Sequence, residues 1–169
     1  MTTLTATLLA MLTVSWGPGL EPVYARHLRS HPRGPQARAA QLAGQLTRAA
    51  RKARVELPLL VALAYDESAF DHAAVSSVGA VGALQLLPQS PWGRAWQRAR
   101  RAPGVSPPEA EALNAEWGAR ALADGLRACG GLPGMALGFY RAGRCVQGPR
   151  ARHTLGLARL VRARLGGKL

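Results

Sequence analysis

The sequence predicts a mainly α-helical fold with one small irregular β-hairpin, and three observations predict it. Only 5% of the 169 residues are aromatic while Ala, Leu, Gly and Arg dominate, a mixture that suits helices broken by glycine turns better than a β-sandwich. Apolar residues recur at helical spacing through most of the chain. One stretch, 75–87, instead breaks into short valine-containing runs at Gly79 and Gly82. With 48% hydrophobic residues the chain can bury one core, and its length leaves no room for two catalytic domains.

Residues 1–34 read as an N-terminal apolar segment and linker, and 35–169 as the domain. The apolar run from Leu4 to Val14 is too short to span a bilayer as a helix. Small residues and Val23-Tyr24-Ala25 follow it in the manner of a cleavable export signal. Against a signal peptide, no Lys or Arg precedes the run, and Glu21 and two prolines lie between it and Ala25; a packed or loose arm is the alternative. Gly17 to Pro35 is rich in proline and glycine and reads as a linker.

In the domain, Ala39, Leu42, Ala43, Leu46, Ala49, Ala50 and Ala53 form the apolar stripe of a first amphipathic helix. Pro58 suits the first turn of a second helix, whose stripe through Leu59 and Leu63 steps by four to Glu67. The glycine-punctuated stretch 75–87 then forms a wall beside Glu67. Gln89 to Pro108, rich in Trp, Arg and Pro, shows no helical stripe, whereas Glu109 to Ala128 carries Leu113, Trp117, Ala121 and Leu122 at helical spacing and ends before Gly130-Gly131. Two further helices fit Met135 to Ala142 and Arg152 to Leu165.

The net charge of +13 is almost all arginine, Lys52 and Lys168 being the only lysines. It implies attraction to polyanions without selecting among nucleic acid, acidic lipid and cell envelope. Codon bias on a solvated surface explains the same composition. Cys129 and Cys145 are the only cysteines; without a CxxC pair or a His cluster they lack the ligands of a zinc site, and no metal or cofactor is expected. In an oxidising compartment they can form one disulfide tying a helix end to a later loop; two unpaired core thiols are the alternative.

Glu67 is the residue to which chemistry attaches. A carboxyl at the edge of an apolar face loses solvation of its charged form, and a proton retained there can be given to a leaving oxygen. The plainer reading is that Glu67 faces solvent or pairs with an arginine.

The run Glu67-Ser68-Ala69-Phe70, followed after a short gap by Ala74 through Pro88, resembles the signature of soluble lytic transglycosylase (SLT) domains. Leu113-Asn114 with Gly118 and Leu122 resembles that family's second motif, and Ala136-Leu137-Gly138-Phe139-Tyr140-Arg141-Ala142-Gly143 its third. The resemblance implies an α+β lysozyme-like helical bundle around a glycan cleft. It implies cleavage of the β-1,4 bond between N-acetylmuramic acid and N-acetylglucosamine in bacterial peptidoglycan. Glu67 is then the acid that protonates the leaving oxygen and the base that draws a proton from the muramoyl C6 hydroxyl, closing a 1,6-anhydro ring without water. Most glycosidases instead need two carboxylates. Asp66 lies on another face of the helix, and Asp71 reads as a turn residue; were Asp71 opposite Glu67, a hydrolytic muramidase would be the better reading.

The resemblance also assigns Ser68 and Ser76 to the surroundings of the reaction centre, Gln85 to the sugar-binding groove and Tyr140 to contact with the catalytic carboxylate. Three positions depart from the family pattern. Ala83 and Leu84 stand where leucine and methionine are usual, and Arg141 stands where asparagine is usual. The implied setting is the bacterial periplasm or cell envelope after export, with peptidoglycan strands as substrate, a cell-envelope assembly as a further partner and a monomeric chain. Two other readings stay open: a non-catalytic glycan-binding module, and a nucleic-acid binder built on Trp92 and Trp96 beside Arg94, Arg98, Arg100 and Arg101. Those tryptophans equally suit the rim of a glycan cleft.

Overall fold

The computed structural model describes residues 34–165, together with helical backbone at 3 and 5–7. The rest of the apolar run, the expected cleavage site and the linker lie outside the described residues. Among the described residues, six helices make up the domain: α1 (Gly34–Ala53), α2 (Leu57–Ser68), α3 (Pro91–Arg100), α4 (Pro107–Ala128), α5 (Pro133–Ala142) and α6 (Pro149–Arg164). The mainly helical expectation holds.

Every residue of α2 from 58 to 65 is buried. Such an all-round apolar helix is stable only when others surround it. Here α6 packs along α2, α1 packs on α2 and α4, and α4 receives α3 and α5 on its remaining faces. Leu46, Leu60, Leu63, Leu84, Leu122 and Leu137, from five separate segments, are fully buried in the one core. Among the described residues no helix is long and apolar enough to cross a membrane.

Proline opens the helices. It lies in the first turn of each from α2 to α6, where its fixed φ is already helical and its missing N–H is not needed. The helices expected from Glu109, Met135 and Arg152 therefore begin slightly earlier, at Pro107, Pro133 and Pro149. Helix α3, in the segment read as stripe-free, starts the same way: Ser90 accepts the Gly93 amide at 3.0 Å and Pro91 follows it. Its tryptophans hold it on α4, Trp92 donating to Asp124 and Trp96 to the Ala110 carbonyl. Trp96 is buried. That ring is therefore withdrawn from the stacking that nucleic-acid binding requires.

The expected β-hairpin stands as two isolated antiparallel bridges, Val75 with Val81 and Val81 with Leu86, in place of paired strands. The cause is local. Gly79, Gly82 and Gln85 all adopt positive φ, so the chain turns every three residues and no strand can extend. Cys129 and Cys145 form a disulfide with Cα atoms 5.5 Å apart, joining the end of α4 to the loop after α5.

Candidate active site

The site is assembled where α2 ends. Ala69 and Phe70 both take left-handed backbone, and their amides bond back to Tyr65 and Ala64, which stops the helix at Ser68, one residue after Glu67. The chain then leaves as the loop 71–88, which returns against the same helix end. Ser68 fastens it there, donating to the Ala83 carbonyl at 2.8 Å.

Asn114 of α4 holds that loop from behind. Buried, it accepts from the Leu84 amide at 3.0 Å and donates to the Val81 carbonyl at 3.1 Å. The approach is so close that a Cβ on Gly82 would lie 2.5 Å from the Asn114 side chain, and one on Gly118 would lie 2.3 Å from Leu84. These glycines let α4 and the loop meet. The sequence placed Asn114 and Gly118 in a motif without a role; they are the clasp that sets the wall beside Glu67.

Gln85 donates its amide nitrogen to the carbonyls of Gly82 at 2.9 Å and Ala74 at 3.2 Å. Ser76 accepts the Ala80 amide at 3.0 Å, in the part of the loop where Val75 and Val78 are exposed. Ser68, Ser76 and Gln85 thus each brace the wall itself. Asp71 accepts the Ala73 amide at 2.8 Å, the turn role expected of it.

Glu67 itself is nearly enclosed, its side chain 8% exposed. Its Oε1 accepts from Arg141 Nε at 2.7 Å, and its Oε2 lies 3.3 Å from Arg150 Nη2. Arg141 also donates through Nη2 to Asp66 at 2.6 Å and to Thr154 at 3.0 Å. Asp66 in turn accepts from Thr154 at 2.7 Å and meets Arg150 and His153 at 3.3 and 3.2 Å. Adjacent acids from α2 therefore enter one network with α5 and α6. Of the two plain readings of Glu67, solvent exposure is excluded and pairing with arginine is observed.

Tyr140 turns its hydroxyl inward to the Leu84 carbonyl. Burial pushes this phenol well above its usual value; the nearby charge of Glu67 adds to the effect and the Arg141 guanidinium opposes it. The structure thus brings Glu67, Tyr140 and Arg141 together. Asp66, Arg150, His153 and Thr154 join them, and no motif in the sequence pointed to these four as a group. The only signal available was that two consecutive acids end an apolar stripe in a chain of such high positive charge.

Two pockets, of about 450 Å³ around Arg51, Leu57 and Arg162 and about 350 Å³ around His72, Trp96 and Glu111, are not lined by Glu67. The carboxylate is closed over by side chains, foremost the arginines.

Residues 45–152 match the model of the family described as the Transglycosylase SLT domain. That span covers well over half the chain and includes Glu67, the loop 71–88, Asn114, Tyr140, Arg141 and Arg150. No curated protein matches the chain.

Proposed function

Because the chain belongs to the SLT transglycosylase domain family, a family of peptidoglycan transglycosylases, we propose that it is a lytic transglycosylase cleaving the β-1,4 bond between N-acetylmuramic acid and N-acetylglucosamine. The observation that carries the reading is Glu67 at the end of the buried helix α2, between the loop 71–88 and the hydroxyl-bearing face of α5. As acid, Glu67 gives its proton to the glycosidic oxygen. As carboxylate, it then takes the proton of the muramoyl C6 hydroxyl, whose oxygen bonds to C1 and leaves a 1,6-anhydromuramoyl end.

A second carboxylate is unnecessary in this scheme. Asp66 is bound to Arg141 and Thr154, and Asp71 is bound to its own turn, which disfavours the hydrolytic design with a water-activating partner. Groove-lining roles go to the wall carrying Ser68, Ser76 and Gln85, and contact with the reaction centre to Tyr140. The proposed setting is the bacterial periplasm or cell envelope, with peptidoglycan strands as substrate and the chain acting as a monomer without a cofactor, alone or with a cell-envelope assembly.

One observation favours a second reading. Glu67 already has both oxygens beside guanidinium groups, an arrangement that suits a non-catalytic glycan-binding module. Mass spectrometry of soluble products from purified peptidoglycan separates the two. Anhydromuropeptides from the wild type but not from Glu67→Gln are expected. Reducing-end products mean a hydrolytic muramidase, and binding to sacculi with no product means a binding module.

A further inference from the structure

The oxygens of Glu67 are held by two very different arginines. Arg141 is 15% exposed and reaches Glu67, Asp66 and Thr154 from within the fold. Arg150, at the start of α6, is 54% exposed. Its Nη2 lies 3.3 Å from Glu67 Oε2 and 2.6 Å from the Asp66 carbonyl, and its Nε lies 3.3 Å from Asp66 Oδ2. A glycosidic oxygen that is to take a proton from Glu67 must approach one of its oxygens. Oε1 is covered from inside, and Oε2 is covered by a side chain that can swing away.

The Arg150 guanidinium is half exposed and its contacts with the Glu67 and Asp66 carboxylates are long, 3.3 Å each, so displacing it takes a partner that also replaces its 2.6 Å bond to the Asp66 carbonyl. A guanidinium is best satisfied by another carboxylate, which its planar fork accepts through two parallel N–H groups. Of the two sugars joined by the scissile bond, only the muramoyl residue carries such groups. A muramoyl residue presents its lactyl carboxyl when no stem peptide is attached, and the carboxyl groups of the peptide when one is; N-acetylglucosamine presents none. Gly148 caps α6 without a side chain, so no cap oxygen competes with an acceptor arriving beside Arg150.

We propose, resting on the transglycosylase reading, that Arg150 is a specificity-determining residue that exchanges Glu67 for a carboxylate on the muramoyl side of the substrate. Acid-bearing strands uncover the catalytic oxygen as they bind. Strands without such a group leave it covered.

The test uses three preparations of glycan strands: peptide-free strands with free lactyl carboxylates, the same strands with those groups converted to methylamides, and peptide-bearing strands. Initial rates are measured with the wild type, Arg150→Lys and Arg150→Gln, and equilibrium binding with each in a Glu67→Gln background, where no turnover intervenes. The wild type is expected to show a KM about tenfold lower for free carboxylates than for methylamides, the size of one charge-assisted contact. Arg150→Gln is expected to collapse that ratio toward one, and Arg150→Lys to restore part of it, with kcat on acid-bearing strands changed less than KM. Preference for peptide-bearing over peptide-free strands assigns the carboxylate to the stem, and the reverse assigns it to the lactyl group. Equal binding of all three preparations, or a preference that survives Arg150→Gln, overturns the inference. Arg150-dependent binding of acid-bearing strands with no anhydro product sinks the transglycosylase reading alone, while anhydro product formed equally from all three preparations sinks only the inference.

Discussion

The hydroxyl of Tyr140 donates to the backbone carbonyl of Leu84, joining α5 to the loop 71–88 across 56 residues of chain. The phenol can hold this bond only while protonated, and burial raises its affinity for the proton well above that of an unfolded tyrosine. Its contribution is therefore complete below the unfolded value, near 10, and is lost as pH rises from there toward the folded value. Over that window the folded chain binds more protons than the unfolded one, and stability falls by about 1.4 kcal/mol per pH unit. Denaturant unfolding at pH 8, 10 and 11 is expected to show this slope in the wild type and to show it reduced in Tyr140→Phe. At pH 8 the variant is expected to be less stable by about 1 kcal/mol, the net worth of one hydrogen bond.

Arg141 is the shared partner of two enclosed acids. Shortening it to the family's usual residue, Arg141→Asn, removes the contacts to Glu67, Asp66 and Thr154 together. Arg150 remains nearby, so the loss is expected at about 2–3 kcal/mol, somewhat below that of a fully orphaned buried charge. Asp66→Asn in the same background is expected to cost less than it does alone, since its main cation is already gone. A double-mutant cycle by thermal unfolding reads this coupling, and simple additivity of the two losses refutes the shared network.

The Asn114 amide spans two backbone groups that nothing else on α4 replaces. Asn114→Ala leaves the buried Leu84 amide and the Val81 carbonyl without this partner, at an expected cost of about 2–3 kcal/mol. Hydrogen exchange locates the effect: the Leu84 amide should exchange markedly faster while amides in the middle of α2 keep their protection relative to global stability. Uniform acceleration across the chain would instead make Asn114 an ordinary core residue.

The helices were legible because their apolar residues keep one period. Leu42, Leu46 and Ala50 announce α1, and Leu59 and Leu63 announce α2, with no knowledge of what lies opposite. Helix α3 escaped that test. Pro91-Trp92-Gly93-Arg94 offers no stripe, and its two tryptophans dock through indole N–H groups on α4 as well as through apolar area. Ser90 followed by Pro91 was the available start signal. In the stretch 75–87 the turns at Gly79 and Gly82 were legible from the glycines, whereas the third positive φ, at Gln85, had no such signal, and the stretch forms two isolated bridges without paired strands.

At the site, Glu67 stood out through the stripe that leads to it and the motif that follows it. Arg141 stood out only as a departure from the family pattern. Its pairing with Glu67 joins positions 74 residues apart, and no local periodicity reports such a contact. Arg150, His153 and Thr154 lie still farther along the chain, on a helix whose stripe shows where the core is and nothing of what its other face meets.

The bond between Cys129 and Cys145 closes a ring of chain that contains all of α5. Both α5 side chains that approach Glu67, Tyr140 and Arg141, ride inside that ring. Their placement is thus tied to the redox history of the molecule. A chain matured where thiols stay reduced carries this segment on two free tethers, and one matured under oxidation carries it as a closed clasp. The difference falls on the geometry around a single carboxylate, so the electron balance of the compartment becomes one of the inputs to the site.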